Sequence, residues 1–307
     1  MQGDSFTFKA DDGKDLFTYR WRPEIATKAI IHVAHGMSEH AGRYERAAES
    51  LTAAGYVVYA NDQRGHGKTA RADFELGFVA PSGGFRRVLR DLEQLVEHEK
   101  RENPGLPLVL FGHSMGSYLA QAFMSEHGRA IQAVVLSGSS GKPTVIGAAG
   151  KLVARAERLR VGERGRSAIL QKLSFERFNA VFRPNRTPFD WLSRDSAEVD
   201  RYIADPRCGF ACSTSLWVDV LDALPNLTRP DRLVHIPKDL PVYIFSGSRD
   251  PVGEDAKSLE RLLAAYRRAG LRSVTHRFYA GGRHEMLNET NRDEVMRDLL
   301  AWLDAEV

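Results

Sequence analysis

Short runs of apolar residues alternate along this chain with segments whose apolar positions recur every three or four residues. The first pattern predicts strands buried on both faces, and the second predicts amphipathic helices that pack on them. Buried strands are predicted at residues 29–34, 56–60, 106–110, 131–136, 240–245 and 274–279. Helices are predicted at residues 47–54, 85–101, 118–124, 257–268 and 290–303. This alternation indicates an α/β protein with a mostly parallel sheet and helices on both faces.

Two further strands are predicted near the N-terminus. Residues 5–9 and 16–21 flank the turn-rich stretch Asp11-Asp12-Gly13-Lys14, which favours an antiparallel hairpin at one edge of the sheet. The expected sheet therefore has eight strands. At the other end of the chain, Thr290 and Asp293 have the spacing of a capping box and predict the start of the last helix.

The interval from residue 141 to 235 departs from this alternation of strands and helices. It lacks buried-strand runs and is rich in arginine, aromatic residues and proline. It holds 16 Lys and Arg against 11 Asp and Glu, so the rest of the chain carries a slight negative excess. A long interval inside a compact domain is usually functional. We therefore expect a core formed by residues 1–140 and 236–307, with a helical cap at 141–235 inserted after the sixth strand.

Composition excludes several other classes of protein. The formal net charge of +3, without a dense basic block, argues against a nucleic-acid partner. Cys208 and Cys212 are four residues apart and are expected to be free thiols, and no Cys/His cluster has the spacing of a metal site. No signal peptide and no membrane span are predicted, so a cytoplasmic location is expected. The sequence leaves the oligomeric state open.

The pattern Gly112-His-Ser114-Met115-Gly116 follows a predicted buried strand and precedes a predicted helix. In this context it predicts a nucleophile elbow, a turn sharp enough to expose the serine hydroxyl. Gly112 and Gly116 would allow strand and helix to approach closely, and the Met115 N–H would point to a developing oxyanion. The alternative is a glycine-rich turn with a chance serine.

A serine nucleophile needs a base and an acid that orients the base. Asp250 directly follows the seventh predicted strand, and His284 directly follows the eighth. Carboxyl ends of parallel strands meet at one edge of a sheet, so both would lie near Ser114. The alternatives are a helix N-cap for Asp250 and a surface loop for His284.

The segment after the third strand predicts the rest of the oxyanion hole. Gly36 permits a tight exit from the strand, and the Met37 N–H then becomes the second donor to the oxyanion. His35 and His66 are expected to support this loop through hydrogen bonds. The sharp turn at Ser114 is expected to direct the His113 side chain elsewhere.

Four motifs together resemble the monoacylglycerol lipase and lysophospholipase branch of the α/β-hydrolase superfamily. They are His35-Gly-Met-Ser-Glu-His-Ala-Gly-Arg-Tyr44, Asp62-Gln-Arg-Gly-His-Gly67, the elbow, and the loops of Asp250 and His284. The resemblance implies the α/β-hydrolase fold and hydrolysis of a fatty acyl ester without metal or cofactor. Ser114 would attack, His284 would transfer the proton and Asp250 would hold its tautomer. The amides of Met37 and Met115 would bind the oxyanion.

The cap adds an expectation about the substrate. Its apolar residues would pack on the core and partly enclose an acyl chain, and its basic excess is compatible with peripheral contact to a membrane surface. The expected substrates are monoacylglycerols or lysophospholipid-like single-chain lipids. A serine aminopeptidase and a generic short-chain esterase remain alternatives on this core, and a non-catalytic ligand-binding protein is a third.

Overall fold

The fold is described from a computed structural model over residues 1–141 and 145–307. Residues 142–144 at the start of the predicted cap, and the side chains of residues 145–148 with Val145 and Ile146 among them, lie outside the described part. The strands are β1 Gln2–Lys9, β2 Asp15–Arg22, β3 Ala29–Ala34, β4 Tyr56–Asn61, β5 Leu108–His113, β6 Ala133–Ser137, β7 Val242–Gly247 and β8 Val274–Tyr279.

These strands form one eight-stranded sheet with the order β1-β2-β4-β3-β5-β6-β7-β8. The hairpin β1–β2 and the pair β2–β4 are antiparallel, and the remaining neighbours are parallel. The predicted edge hairpin and the mostly parallel sheet are therefore confirmed. Every residue of β3 to β7 is buried, which accounts for their continuous apolar runs.

Helices cover both faces of the sheet. Their bounds are α1 Glu45–Ala53, α2 Gly84–Glu102, α3 Met115–His127, α4 Val145–Val161, α5 Ala168–Gln171, α6 Arg177–Ala180, α7 Ser196–Ala204, α8 Thr214–Leu227, α9 Pro230–Leu233, α10 Lys257–Arg268 and α11 Arg292–Glu306. The apolar stripes of α2, α3 and α10 share one core with one face of the sheet. Those of α1 and α11 share a second core with the opposite face.

Two sequence expectations about element ends are wrong. The fifth strand was expected to end at residue 110, but β5 continues to His113 because Gly112 and His113 still pair with Leu136 and Ser137 of β6. The last helix begins at Arg292, and its N-cap residue Asn291 makes no side-chain capping bond, so no capping box forms at Thr290. The apolar pattern of the sequence does not show where main-chain hydrogen bonding ends a strand or begins a helix, so it did not predict the end of β5 or the start of α11.

Between β6 and β7 the described chain is helical, and we call residues 145–235 the helical insertion. Part of it has its own apolar clusters, one around Ala154, Leu170 and Val218 and another around Trp191 and Tyr202. Its α8 and α9 also join the core that contains α2 and α3. The insertion is therefore packed continuously with the sheet domain. Across the described residues, we find no helix with the length and apolarity needed to cross a membrane.

Candidate active site

The backbone of Ser114 has the shape expected of a nucleophile elbow. Its φ of 51° and ψ of −118° are rare for a residue with a side chain, and it stands between β5 and α3. A Cβ on Gly112 would lie 2.4 Å from the carbonyl oxygen of Gly116, and one on Gly116 would lie 2.0 Å from that of Ala34. Both glycines are therefore required for strand and helix to meet at Ser114.

Asp250 and His284 form a buried hydrogen-bonded pair. Both carboxylate oxygens of Asp250 lie 3.0 Å from Nδ1 of His284. The carboxylate also accepts hydrogen bonds from the Ser246 hydroxyl at 2.8 Å and from the Val252 N–H at 2.9 Å. Asp250 lies in the loop after β7 and is not the N-cap of α10, which is Ala256.

The electrostatics of this pair favour a charged acid beside a basic imidazole. Burial alone would raise the pKa of Asp250, but the charge of His284 and the hydrogen bonds hold it below its usual value. Burial alone would lower the pKa of His284, but the Asp250 carboxylate raises it above the usual value. The ionised Asp250 is thereby suited to accept a hydrogen bond from Nδ1–H of His284, which leaves Nε2 free to act as a base.

Ser114 lies at the same edge of the sheet as this pair. A Cβ on Gly36 would lie 3.1 Å from Cβ of Ser114 and 3.3 Å from Cδ2 of His113, and the His113 ring lies 4.8 Å from that of His284. The side-chain hydrogen bonds of His284 run to Asp250, and none reaches Ser114 in this structure. Catalytic hydrogen bonds often tighten only when substrate binds.

His113 departs from the sequence expectation. Its ring does not lie away from the site but packs against His284, and both rings border Gly138. Gly138 has a φ of 54°, and a Cβ there would lie 2.9 Å from Cε1 of each histidine. Burial, reinforced by the nearby charge of His284, lowers the pKa of His113 to about 4, so it is neutral at pH 7. Sequence reasoning overlooked Gly138, since a single glycine after a strand carries no specific signal.

His35 supports the loop after β3, as the sequence suggested. Its Nδ1 lies 2.7 Å from the carbonyl oxygen of Gly36, and its Nε2 accepts a hydrogen bond from the Gln63 N–H at 2.9 Å. The Gln63 amide in turn donates to the His35 carbonyl. Burial and the nearby His66 keep the pKa of His35 well below its usual value. A neutral His35 with its proton on Nδ1 satisfies both contacts.

A buried ionic cluster stands behind the loops that carry Gly36 and His284. Glu39 accepts hydrogen bonds from the Gly36 N–H at 2.6 Å, from the Tyr44 hydroxyl at 3.0 Å and from Arg43 at 2.6 Å. Arg43 also makes a bidentate pair with Glu285 at 2.7 Å. Despite burial, the Arg43 charge holds the pKa of both carboxylic acids below the usual value. Arg43 thus connects the loop of Gly36 to the loop of His284.

Sequence reasoning missed this cluster as a unit. Three of its members, Glu39, Arg43 and Tyr44, lie inside the motif that carried the family resemblance, which was the available signal. Glu285 follows His284 directly, but nothing local pairs it with Arg43, which lies 242 positions earlier.

The helical insertion contacts His284 directly. The Trp191 ring lies 4.9 Å from that of His284, and the N–H groups of His284 and Glu285 donate to the carbonyls of Trp191 and Leu192 at 3.4 and 2.8 Å. Phe175 stacks on Trp191 and contacts Phe178 and Trp217, which extends an aromatic wall away from His284. We call Phe175, Phe178, Trp191 and Trp217 the aromatic wall. No sequence signal singled out Trp191.

One group of potential metal ligands occurs in the part of the chain that is described. His40, Asp205 and Cys208 bring one ligand atom each within 4.8 Å of one another. Nε2 of His40 is already engaged with Asp205 at 2.8 Å, and burial raises the pKa of the Cys208 thiol. A protonated thiol and a hydrogen-bonded pair explain the contacts without an ion.

Comparison with known proteins agrees with this geometry. The profile of the family described as "Serine aminopeptidase, S33" matches residues 25–291. A monoacylglycerol lipase of Mycolicibacterium smegmatis is 29% identical over 92% of this chain and 90% of its own. A monoglyceride lipase of Homo sapiens is 29% identical over 95% of this chain and 88% of its own. A carboxyl esterase of Bacillus coagulans superposes with a TM-score of 0.90 at 24% identity, covering 100% of this chain and 99% of that one.

Proposed function

Since this chain belongs to the α/β-hydrolase family described as serine aminopeptidase, S33, and is a serine carboxylester hydrolase, we propose that it cleaves fatty acyl monoesters. Monoacylglycerols or lysophospholipid-like single-chain lipids are the proposed substrates. Ser114 would attack the ester carbonyl, and His284, oriented by Asp250, would take the serine proton and return it to the leaving alcohol. The acyl-enzyme formed on Ser114 would then be hydrolysed by water.

The observation that carries the proposal is the buried Asp250–His284 pair at the sheet edge that also holds Ser114. Ser114 stands in a strained backbone conformation, and such strain concentrates at functional sites. The oxyanion would be bound by the N–H groups of Met37, in the loop after β3, and Met115, the first residue of α3. The Met37 N–H makes no hydrogen bond to any described residue, which leaves it available.

The aromatic wall supports an acyl substrate. It begins at Trp191, whose ring centroid lies 4.9 Å from that of His284, so it offers apolar surface next to the proposed reaction centre. Apolar side chains recognise an alkyl tail through burial, which contributes roughly 0.8 kcal/mol for each methylene. The wall is therefore suited to favour longer acyl groups over acetyl.

A chain-length series tests the acyl proposal. We expect kcat/KM for p-nitrophenyl esters to rise from two to at least eight acyl carbons, measured below the critical micelle concentration. Ser114→Ala should lower kcat by several orders of magnitude, because the triad acts as a unit. Ser125→Ala, on the same helix with its hydroxyl bonded to the Ala122 carbonyl, is the matched control and should keep full activity. A steady decline in kcat/KM from acetyl to octanoyl would refute the lipid proposal.

The family description also names an aminopeptidase, which is the second candidate. Such an enzyme must bind the ammonium group of its substrate, usually through a carboxylate. Glu39 and Glu285, the carboxylates beside the catalytic loops, are both paired with Arg43, which argues against that function. Aminoacyl p-nitroanilides assayed beside monoacylglycerols decide between the two, and faster turnover of the anilides would favour the peptidase.

The helical insertion is proposed to act as a cap that also meets lipid surfaces. Leu152 and Leu159 of α4 are 69% and 89% exposed, and Ile169 and Leu173 are 45% and 50% exposed. Exposed apolar side chains on the insertion of a lipid-hydrolysing enzyme are suited to peripheral contact with a membrane surface. Co-sedimentation with phosphatidylcholine vesicles tests this, since Leu159→Glu should weaken binding, and equal binding by both proteins would contradict it.

We further propose a reducing, cytoplasmic location. Cys208 and Cys212 are free thiols in the structure, as the sequence predicted. Fractionation of cells that express the tagged protein checks the location, and recovery outside the cytoplasm would contradict it.

A further inference from the structure

The loop that carries Met37 is fixed on the core side by Glu39. Its carboxylate accepts from the Gly36 N–H at 2.6 Å and closes residues 36–39 into a turn. The same carboxylate is fixed by Arg43 and by the Tyr44 hydroxyl. One end of the segment that contains the Met37 N–H is therefore immobilised within the core.

The other end of this segment is fixed by the helical insertion. Ser38 is fully buried and has a φ of 59°, a left-handed conformation that is unfavourable for a residue with a side chain. Its carbonyl oxygen accepts hydrogen bonds from the Tyr202 hydroxyl at 2.8 Å and from the Gly209 N–H at 2.9 Å. Its own hydroxyl donates to the Phe210 carbonyl at 2.9 Å. The hydroxyl also lies 3.2 Å from Sγ of Cys212, so four contacts to the insertion hold Ser38 in its unfavourable conformation.

Tyr202 is itself firmly placed. It lies in α7, is 5% exposed, and packs against Phe189 with a ring distance of 5.1 Å. The Arg43 guanidinium lies 4.8 Å from the Tyr202 ring centroid. Burial raises the pKa of the Tyr202 phenol well above its usual value, so the hydroxyl keeps the proton that it donates to Ser38.

We propose that Tyr202 is a positioning residue for the oxyanion hole, holding the Ser38 carbonyl so that the Met37 N–H points at the developing oxyanion. This inference rests on the proposed serine esterase mechanism and goes beyond it. The Met37 peptide lies between two anchored groups, the Gly36 N–H and the Ser38 carbonyl. The helical insertion would therefore set the rate of the chemical step as well as the choice of acyl chain.

Tyr202→Phe tests this assignment because it removes one hydroxyl and keeps the packed ring. Loss of an entire oxyanion donor costs about 10²–10³ in kcat, so a loosened donor should cost about tenfold. We expect kcat to fall about tenfold for acetyl and octanoyl p-nitrophenyl esters alike, with KM unchanged. An alkyl trifluoromethyl ketone, which forms a tetrahedral oxyanion on Ser114, should bind about tenfold more weakly.

The matched control is Tyr56→Phe, which removes a phenol hydroxyl bonded to Asp304 at 2.8 Å, remote from the site. It should leave kcat and ketone affinity unchanged. Ser38→Ala removes the hydroxyl contacts to the Phe210 carbonyl and to Sγ of Cys212, keeps both hydrogen bonds to the Ser38 carbonyl, and should lower kcat in the same manner but by less. If Tyr202→Phe does not fold, the kcat and ketone affinity of Ser38→Ala test the positioning of the Met37 N–H instead.

Two results would overturn the inference. Unchanged kcat in folded Tyr202→Phe would remove its positioning role, and a raised KM for the octanoyl ester alone would make Tyr202 part of the acyl site. The acetyl ester keeps the two proposals separate. If the lipid proposal fails, the failure appears in the chain-length series of the unmodified enzyme. The positioning role is judged separately, from the ratio of the variant's kcat to that of the unmodified enzyme on the acetyl ester.

Discussion

Gly138 permits a sharp test of how closely the catalytic histidine is packed. In Gly138→Ala the new methyl group would lie 2.9 Å from Cε1 of both His113 and His284. Carbon atoms pack at about 3.5–4.0 Å, so a ring must retreat by about 0.6 Å or more. The methyl group would lie equally close to both rings, so we expect His284 to move as well as His113, although Asp250 holds Nδ1 of His284 at 3.0 Å.

The expected loss follows from that displacement. Misplacing a catalytic group by about 1 Å costs roughly 10²-fold in rate, so a shift of half that size should cost about tenfold in kcat. Alanine at a positive φ also destabilises the fold by about 1–2 kcal/mol, which lowers Tm by roughly 2–3 °C in a protein of this size.

Gly105→Ala separates the two effects. Gly105 has a φ of +81°, and a Cβ there would meet nothing within 4 Å. The control therefore has the backbone strain without the contact to His284. We expect both variants to lose thermal stability in differential scanning calorimetry, but only Gly138→Ala to lose kcat on the octanoyl ester. If folded Gly138→Ala retains kcat within twofold of Gly105→Ala, the argument from close packing fails.

Two further predictions follow from the buried charges. Asp250→Asn should lower kcat/KM about 10⁴-fold while the circular dichroism spectrum is retained. Because Asp250 raises the pKa of His284 above its usual value, the kcat/KM of the unmodified enzyme should fall as the pH drops through that raised pKa. The fall should move to lower pH in the variant, and an unmoved profile would assign the orienting role to another group. Arg43→Met leaves Glu39 and Glu285 buried without a cation and should cost about 3–5 kcal/mol in unfolding free energy. The loss should be larger at pH 8 than at pH 5, because without Arg43 the pKa values of Glu39 and Glu285 in the folded variant lie above those in the unfolded chain. A Tm of the variant within 2 °C of the parent at pH 8 would contradict this.

The sequence by itself determined the sheet, its helices and the placement of Ser114, Asp250 and His284. Buried parallel strands require continuous apolar runs, which can be recognised directly in the sequence. The order of parallel strands then places the residues that follow each strand at one edge of the sheet. The elbow glycines could also be recognised in the sequence, because a sharp turn between strand and helix leaves no space for a side chain at Gly112 or Gly116.

Only the tertiary structure decided how that edge is held. The pairing of Arg43 with Glu285, the packing of Trp191 against His284 and the hydrogen bond from Tyr202 to Ser38 join residues far apart in the chain. Such contacts depend on where the folded elements meet. In the sequence, these charged and aromatic residues resemble ordinary surface and core positions.

His113 shows the same limit at short range. The geometry of the turn predicted that its side chain would lie away from the site, but its ring packs against His284 beside Gly138, in another part of the chain. Local backbone rules determine which residues a turn requires. The direction in which a buried side chain packs is set by the space that distant residues leave, because protein interiors are close-packed.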